Sequence, residues 1–105
     1  MPTISNDFSI QLVEKSNLEQ VNWEKLEFGK IFSDHMFLME YADGQWSNGQ
    51  VLPFQNIPMH PAMSAIHYGQ SIFEGMKAFK NANTGKPQLF RPLENHKRLN
   101  KSALR

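Results

Sequence analysis

Apolar residues recur at every second position in several short stretches of the chain, which is the period of a half-exposed β-strand. Phe8–Leu12 alternates apolar with polar residues, so a short strand is predicted there. His35–Tyr41 is rich in apolar and aromatic residues, as buried strands are. It leads into Asp43 and Gly44, a pair typical of tight turns, and the chain is then expected to return from Trp46.

Prolines interrupt the middle of the chain, and a helix is predicted beyond them. Phe54–Met59 lies among these prolines and is expected to be an edge strand or an extended loop, because proline donates no hydrogen bond to a sheet. Ala62–Glu74 is predicted to be largely helical, and Gly75 is its predicted end.

A hairpin and a second helix are predicted for the C-terminal part. Met76–Lys80 and Gln88–Arg91 have the composition of strands, and Asn81–Lys86 has that of the loop joining them. Asn95 is the predicted cap of a helix that runs through Ala103. Taken together, these elements predict a small α+β domain.

Composition limits the kinds of protein that this chain can be. A chain of 105 residues forms one domain at most, and its 40% hydrophobic share suits a soluble globular fold rather than a disordered one. It has no cysteine, which excludes disulfides and thiolate metal sites. Neither a long apolar run nor a secretory signal is visible, so the cytoplasm is the expected location.

The net charge of +1 conceals an uneven distribution along the chain. Residues 1–43 carry three basic and eight acidic side chains, whereas residues 44–105 carry eight basic and two acidic ones. The near-neutral total argues against a protein that coats nucleic acid. The basic half suits an anionic small ligand or an acidic partner, and a solvated surface would have the same composition.

Generic catalytic and metal-binding motifs are absent from the sequence. The six glycines form neither a dinucleotide-binding nor a P-loop pattern, and no serine lies in a nucleophile elbow. The histidines at positions 35, 60, 67 and 96 lack the spacing of metal ligands. Neither a nucleotide site nor a metal site is therefore predicted.

Two segments nevertheless combine residues suited to binding a small molecule. In His67–Ala78, Tyr68 and Phe73 lie close to glycines that let a ligand approach the backbone, although ordinary core packing would use the same residues. Phe90–Ala103 turns from a strand into a helix that carries Arg98, whose guanidinium fork suits a phosphate. A solvated basic face is the alternative for this second segment.

In their order along the chain, these segments resemble the branched-chain amino-acid aminotransferases, pyridoxal-phosphate enzymes of the class IV aminotransferase fold. The resemblance extends from about residue 28 to residue 105 and rests on Phe28–Met36, Pro53–Asn56, His60-Pro61, His67–Phe79 and Arg98–Ala103. It implies an antiparallel sheet with flanking helices, the incomplete N-terminal small domain of that α+β fold. Residues 1–27 would then be an N-terminal extension and residues 28–105 part of the small domain.

The resemblance also implies roles for four side chains. Arg98 matches the arginine that binds the phosphate of pyridoxal 5′-phosphate in the family, and a planar, permanently charged group suits that dianion. Phe28, Tyr68 and Phe73 match aromatic residues that line the pocket for the aliphatic side chain of the substrate. Tyr68 would also bring a hydroxyl near the substrate, reaching across a dimer interface.

The lysine that the family joins covalently to its cofactor has no counterpart here. None of the eight lysines matches it, because it lies in the later, large domain of the family. The resemblance therefore implies the front part of a longer homodimeric enzyme that transfers the amino group of leucine, isoleucine or valine to 2-oxoglutarate. No catalytic residue is predicted within the 105 residues, and the chain alone is expected to be inactive.

Two kinds of alternative remain open. D-amino-acid aminotransferase and aminodeoxychorismate lyase share the class IV fold, but the Asp-His-Met and Pro-Phe-Gln-Asn segments disfavour them. A non-catalytic interaction domain, whose basic half binds an acidic partner or nucleic acid, is the alternative from another class.

Overall fold

The computed structural model describes residues 7–105, which fold into two compact units. One unit ends at Pro58 and the other begins at Met59. Residues 1–6 of the expected N-terminal extension lie outside the described residues, and the division expected at residue 28 stays a prediction. None of the helices in the described part of the chain is long and apolar enough to cross a membrane.

A mixed three-stranded sheet forms the first unit. The strands of this unit are β1 (Phe8–Ile10), β2 (His35–Leu38), β3 (Tyr41–Ala42), β4 (Gln45–Trp46) and β5 (Gly49–Pro53). The central strand β5 pairs in parallel with β1 and antiparallel with β2. The expectation of an antiparallel sheet is therefore met by β2 but not by β1. A parallel pair needs a long connection, and β2, β3 and β4 all lie within the connection between β1 and β5.

The tight turn predicted at Asp43 and Gly44 is confirmed. Both residues have positive φ, 52° and 78°, as a type I′ turn of a two-residue hairpin requires, and β3 pairs antiparallel with β4. Tyr41 and Trp46 meet edge to face across this hairpin, with 5.1 Å between ring centroids. The predicted strand His35–Tyr41 is interrupted after residue 38, so its two ends belong to separate strands. Residues 54–59, left open between strand and loop, form a loop.

Close packing in the first sheet occurs where Phe37 covers Gly49. A Cβ atom on Gly49 would lie 2.6 Å from the Cζ atom of Phe37, so the ring can cover this position only because the residue is glycine. Phe32 and Phe54 stack with 4.7 Å between their centroids. None of the hydrophobic side chains in residues 7–105 is buried. The first unit is therefore held by strand pairing and ring contacts rather than by a buried apolar core.

A short helix, a hairpin and a longer helix form the second unit. These elements are α1 (Ser64–Tyr68), β6 (Ala78–Lys80), β7 (Pro87–Leu89) and α2 (Pro92–Ala103). The predicted hairpin is confirmed, because β6 and β7 pair antiparallel. The side-chain oxygen of Asn81 accepts hydrogen bonds from two backbone N–H groups of the connecting loop, at 2.8 and 2.9 Å. Such a local bond lets asparagine favour a turn over a continued strand.

One predicted end and one predicted start of a helix are wrong. Helix α1 ends at Tyr68, and the glycine that stops it is Gly69 rather than Gly75, because Gly69 adopts a φ of +62° in the left-handed region, where glycine has no steric penalty. Helix α2 begins at Pro92, with Arg91 at the preceding cap position. Proline suits the first turn, since its fixed φ is helical and its missing N–H has no partner there. Asn95 is therefore one turn inside the helix and does not cap it.

Candidate functional site

Helix α2 presents Asn95 and Arg98 on the same face, because residues three apart are neighbours on a helix surface. Glu94 lies in the first turn, where a negative charge favours the helix. Arg98 lies near the middle of the helix, and 66% of its side chain is exposed. The helix thus brings an amide and a positive charge to one surface of the second unit.

Glu74, in the loop after α1, contacts both of these side chains. Its Oε2 atom accepts a hydrogen bond of 2.7 Å from Nε of Arg98, and its Oε1 atom accepts another from Nη2 of the same guanidinium. Asn95 donates from Nδ2 to Oε1 of Glu74 at 3.0 Å and to the carbonyl oxygen of Gly75 at 2.8 Å. Only 11% of the Glu74 side chain is exposed. Glu74, Asn95 and Arg98 are called the Arg98 cluster below.

The groups of the Arg98 cluster stabilise one another's charges. The hydrogen bond from Arg98 is the largest effect on Glu74 and that from Asn95 the next, and together with the charge of Arg98 they lower the pKa of Glu74 from 4.5 to about 2 despite its partial burial. The hydrogen bond and charge of Glu74 in turn raise the pKa of Arg98. Both members of the ion pair are therefore charged at neutral pH.

Arg98 retains donors for a second acceptor after it has paired with Glu74. A guanidinium has five N–H groups, and Glu74 accepts from the one on Nε and from one on Nη2. Both N–H groups of Nη1 and the second one of Nη2 are left, on a side chain that is mostly exposed. Two adjacent donors of this kind match the oxygens of a phosphate. The donor chemistry of Arg98 therefore fits the phosphate of pyridoxal 5′-phosphate.

Lys97 of helix α2 and Arg91, which precedes the helix, pair with a different carboxylate. Nζ of Lys97 lies 3.0 Å from Oε1 of Glu94, and Nη2 of Arg91 lies 3.9 Å from the same oxygen. All three side chains are exposed, and such surface pairs contribute little to stability. Glu94 therefore provides an acidic side chain on the same helix with contacts separate from those of Arg98.

Two of the predicted aromatic residues lie in the second unit. Tyr68 ends α1, and Phe73 immediately precedes Glu74, so Phe73 lies beside the Arg98 cluster along the chain. Phe73 lines an open depression of about 430 Å³ together with Gly69, Gln70, Ser71, Ile72, Ser102, Ala103 and Arg105. Tyr68 and Phe73 are both almost fully exposed. Neither ring is therefore enclosed, and their roles as pocket walls stay predictions.

Phe28, the third predicted aromatic residue, lies in the first unit, before β2. Its side chain is fully exposed. It is followed by Gly29, whose φ of +74° makes a turn, and Glu27 and Lys30 form an ion pair of 2.6 Å across that turn. The turn presents Phe28 to solvent, and its contact with a substrate stays a prediction.

Sequence reasoning missed Glu74 and Asn95 as site residues. Residues 44–105 contain only two acidic side chains among eight basic ones, so each carboxylate there was a candidate partner for a nearby cation. Asn95 precedes Arg98 by three positions and hence shares its helix face. These two signals were present, but the choice of Arg98 as the partner of Glu74 depends on the fold.

Several curated proteins are similar to most of this chain. It is 40% identical over 100 residues to a mitochondrial branched-chain-amino-acid aminotransferase of Bos taurus, covering 94% of this chain and 25% of that protein. It is 42% identical over 99 residues to a probable branched-chain-amino-acid aminotransferase of Staphylococcus aureus, covering 92% and 27%. For branched-chain-amino-acid aminotransferase 2 of Bacillus subtilis, the identity is 46% over 79 residues, covering 74% and 22%.

These similarities confirm the resemblance to branched-chain-amino-acid aminotransferases. No family model matches the chain. The chain spans about a quarter of the length of the curated relatives it matches. The alignments therefore relate this chain to a segment of those proteins.

Proposed function

We propose that this chain is the phosphate-binding and side-chain-recognising segment of a pyridoxal-phosphate-dependent aminotransferase. Its substrates would be leucine, isoleucine or valine, with 2-oxoglutarate as the acceptor of the amino group. The observation that carries the proposal is the 40–46% identity to proteins named as branched-chain-amino-acid aminotransferases. The donor chemistry of Arg98 supports it, because the cofactor ends in a phosphate dianion.

Arg98 would bind one end of the cofactor and orient it. Its charge would balance that of the phosphate, and its free N–H groups would fix the direction of the phosphate oxygens. When bound, pyridoxal 5′-phosphate supplies an electron sink for the bond that breaks at the α-carbon of the amino acid. Phe28 and Phe73 would offer apolar surface to the aliphatic side chain of the substrate, and Tyr68 would add a hydroxyl beside it.

The 105 residues alone are proposed to be inactive. None of their lysines corresponds to the one that the family joins to the cofactor, and without that group the substrate is not held beside a proton-transferring base. We also propose that the whole enzyme is a homodimer, in which the exposed Tyr68 would be free to reach the partner subunit.

The proposed location is the cytoplasm. Among the relatives, those of Bos taurus and Arabidopsis thaliana are named mitochondrial and chloroplastic, so location differs between members of this group.

A chimera provides the test of the proposed reaction. The matching segment of the Bacillus subtilis relative is replaced by that of this chain, and formation of glutamate from leucine and 2-oxoglutarate is measured. We expect the chimera to be active, and the 105-residue chain alone to show neither turnover nor a single borohydride-trapped lysine. Turnover by the chain alone, or a chimera that prefers D-alanine as its substrate, would contradict the proposal. Salt-sensitive binding of the chain to duplex DNA would support the alternative that it is an interaction domain.

Arg98→Ala in the same chimera tests the assignment of the phosphate. We expect cofactor binding to weaken about tenfold or more, because hydrogen bonds between charged groups are among the strongest in proteins. Lys97→Ala is the matched control, since it removes a charge from the neighbouring position, where the side chain pairs with Glu94. Equal effects of the two substitutions on the dissociation constant of pyridoxal 5′-phosphate would contradict the role of Arg98.

A further inference from the structure

We infer that Glu74 is a positioning residue which, together with Asn95, holds the guanidinium of Arg98 so that its remaining N–H groups face a bound phosphate. The inference rests on the proposed function, because it takes Arg98 as the phosphate-binding group. Glu74 itself would not touch the phosphate, since both are anions.

The contact between Glu74 and Arg98 restricts the guanidinium at two points. The side chain of arginine has several rotatable bonds, and a single hydrogen bond would leave its plane free to turn. Bonds from Nε and Nη2 to the two oxygens of one carboxylate define both the plane and the direction of the guanidinium. The Nη1 edge then has one orientation, pointing away from Glu74.

Asn95 keeps the carboxylate itself in place. Its Nδ2 atom donates to Glu74 and to the carbonyl oxygen of Gly75, so it ties the side chain and the backbone of the loop to helix α2. Glu74 is nearly buried, whereas Arg98 is mostly exposed. The fixed partner is therefore the acid, and the cation projects from it toward solvent.

The negative charge of Glu74 and its proposed positioning of Arg98 have opposite effects on phosphate binding, and this makes the inference testable. A carboxylate beside Arg98 repels an incoming phosphate, so an effect of charge alone would make phosphate binding tighter when Glu74 is neutralised. Positioning predicts the opposite sign, because a guanidinium without its fixed partner must be ordered when the anion binds.

The experiment uses the cofactor-free chimera described above, with Glu74→Gln and, as the matched control, Glu94→Gln. Each substitution removes one negative charge, but Glu94 contacts Lys97 and Arg91 instead of Arg98. The dissociation constants of inorganic phosphate and of pyridoxal 5′-phosphate are measured by ³¹P NMR titration. We expect Glu74→Gln to weaken binding of both anions about tenfold, the size of effect that loss of an orienting partner has at metal ligands. Glu94→Gln should leave both dissociation constants unchanged or slightly lower.

A second readout needs no ligand. The Nε–H signal of Arg98 is followed by ¹⁵N NMR, and its exchange with solvent is expected to be slow in the chimera and fast in its Glu74→Gln variant. Asn95→Ala is expected to accelerate the exchange of this N–H by an intermediate amount. Because it changes no charge, it also replaces Glu74→Gln as the test variant if circular dichroism shows that Glu74→Gln is unfolded. If the Glu74→Gln chimera is folded and still shows slow exchange, the inference is overturned. If Glu74→Gln is unfolded, slow exchange in the Asn95→Ala chimera overturns it.

The titrations separate the failure of the inference from that of the proposed function. If Arg98→Ala weakens phosphate binding but Glu74→Gln does not, Arg98 binds the anion without help from Glu74 and the inference is wrong. If Arg98→Ala leaves phosphate binding unchanged, the assignment of the phosphate to Arg98 fails, and the inference that rests on it is overturned as well.

Discussion

Glu74 links a loop to helix α2 through a partner 24 positions away in the chain. In this ion pair the side chain of Glu74 is nearly buried, whereas that of Arg98 is mostly exposed. A carboxylate in this setting is held charged by its donors, which is why its pKa falls to about 2. Its contribution to stability therefore depends on pH.

We expect the stabilisation by Glu74 to be lost in acid. The pKa of Glu74 is about 2 in the folded chain against an ordinary 4.5, so its stabilising effect is fully present above about pH 4.5 and disappears as the pH falls toward 2. The difference in free energy of unfolding between the wild-type chain and Glu74→Gln should shrink across this interval, as measured by urea denaturation. A difference that is constant from pH 6 to pH 2 would contradict the ion pair, and Glu94→Gln serves as the control for loss of one carboxylate.

At the scale of elements, β2 is fastened to the segment that follows β1. The carboxylate of Asp34 accepts hydrogen bonds from the hydroxyl of Ser16 at 2.5 Å and from the backbone N–H of Asn17 at 2.9 Å. Nε2 of His35 accepts one from the backbone N–H of Val13 at 3.0 Å. The hydrogen bond from Ser16, followed by that from Asn17, lowers the pKa of Asp34. Two adjacent side chains thus fix two points of one segment.

Removing either side chain should release only the point that it holds. Asp34→Ala is expected to accelerate amide hydrogen exchange at Asn17 about fivefold, with a smaller effect at Val13, because one hydrogen bond contributes modestly. His35→Ala should do the reverse. The exchange rates are measured by ¹H–¹⁵N NMR, and each variant is the control for the other. Equal acceleration of both amides in both variants would mean that the segment opens as a unit, contrary to this expectation.

At the scale of the whole molecule, the exposed apolar surface is the dominant feature. No hydrophobic side chain in the described range 7–105 is buried, and large ones such as Trp23, Phe90 and Leu104 are mostly accessible. Strand pairing and ion pairs alone stabilise a chain only marginally, and extensive exposed apolar surface favours association. The two units therefore lack the buried apolar surface that would stabilise them against unfolding or self-association in water.

We expect the 105-residue chain to self-associate. Light scattering across a dilution series should give masses above 12.1 kDa at micromolar concentration, with binding of a hydrophobic dye. The control is the chimera described above, in which the same segment is surrounded by the rest of an aminotransferase and should show no association beyond that of the parent enzyme. A stable dilute monomer of the 105-residue chain would contradict this expectation.

Features that depend on neighbouring residues were predictable from the sequence. The turn at Asp43 and Gly44 and the hairpin loop starting at Asn81 were predicted because their conformations follow from local backbone preferences and local hydrogen bonds. The end of helix α1 was not, since Gly69 and Gly75 are both suitable stops. The choice between them depends on which glycine adopts a left-handed backbone in the folded unit.

Pairings between distant residues depended on the fold. The parallel pairing of β1 with β5 joins segments about 40 positions apart in the register, and no periodicity within either strand specifies a partner or a direction. The sequence likewise does not specify that Glu74 pairs with Arg98, because several cations of the basic half were available to that carboxylate. Which distant residues pair depends on how the loops between them close and how the side chains around them pack.

The sequence by itself determined the α+β character, the hairpins and the resemblance to aminotransferases, and it led to the prediction that Arg98 binds a phosphate. These depend on residue types and on short-range order, which a linear chain already contains. Only the tertiary structure decided that Arg98 is held by a nearly buried glutamate and an asparagine of its own helix. That arrangement requires two distant segments to meet, and residue order alone does not specify the meeting.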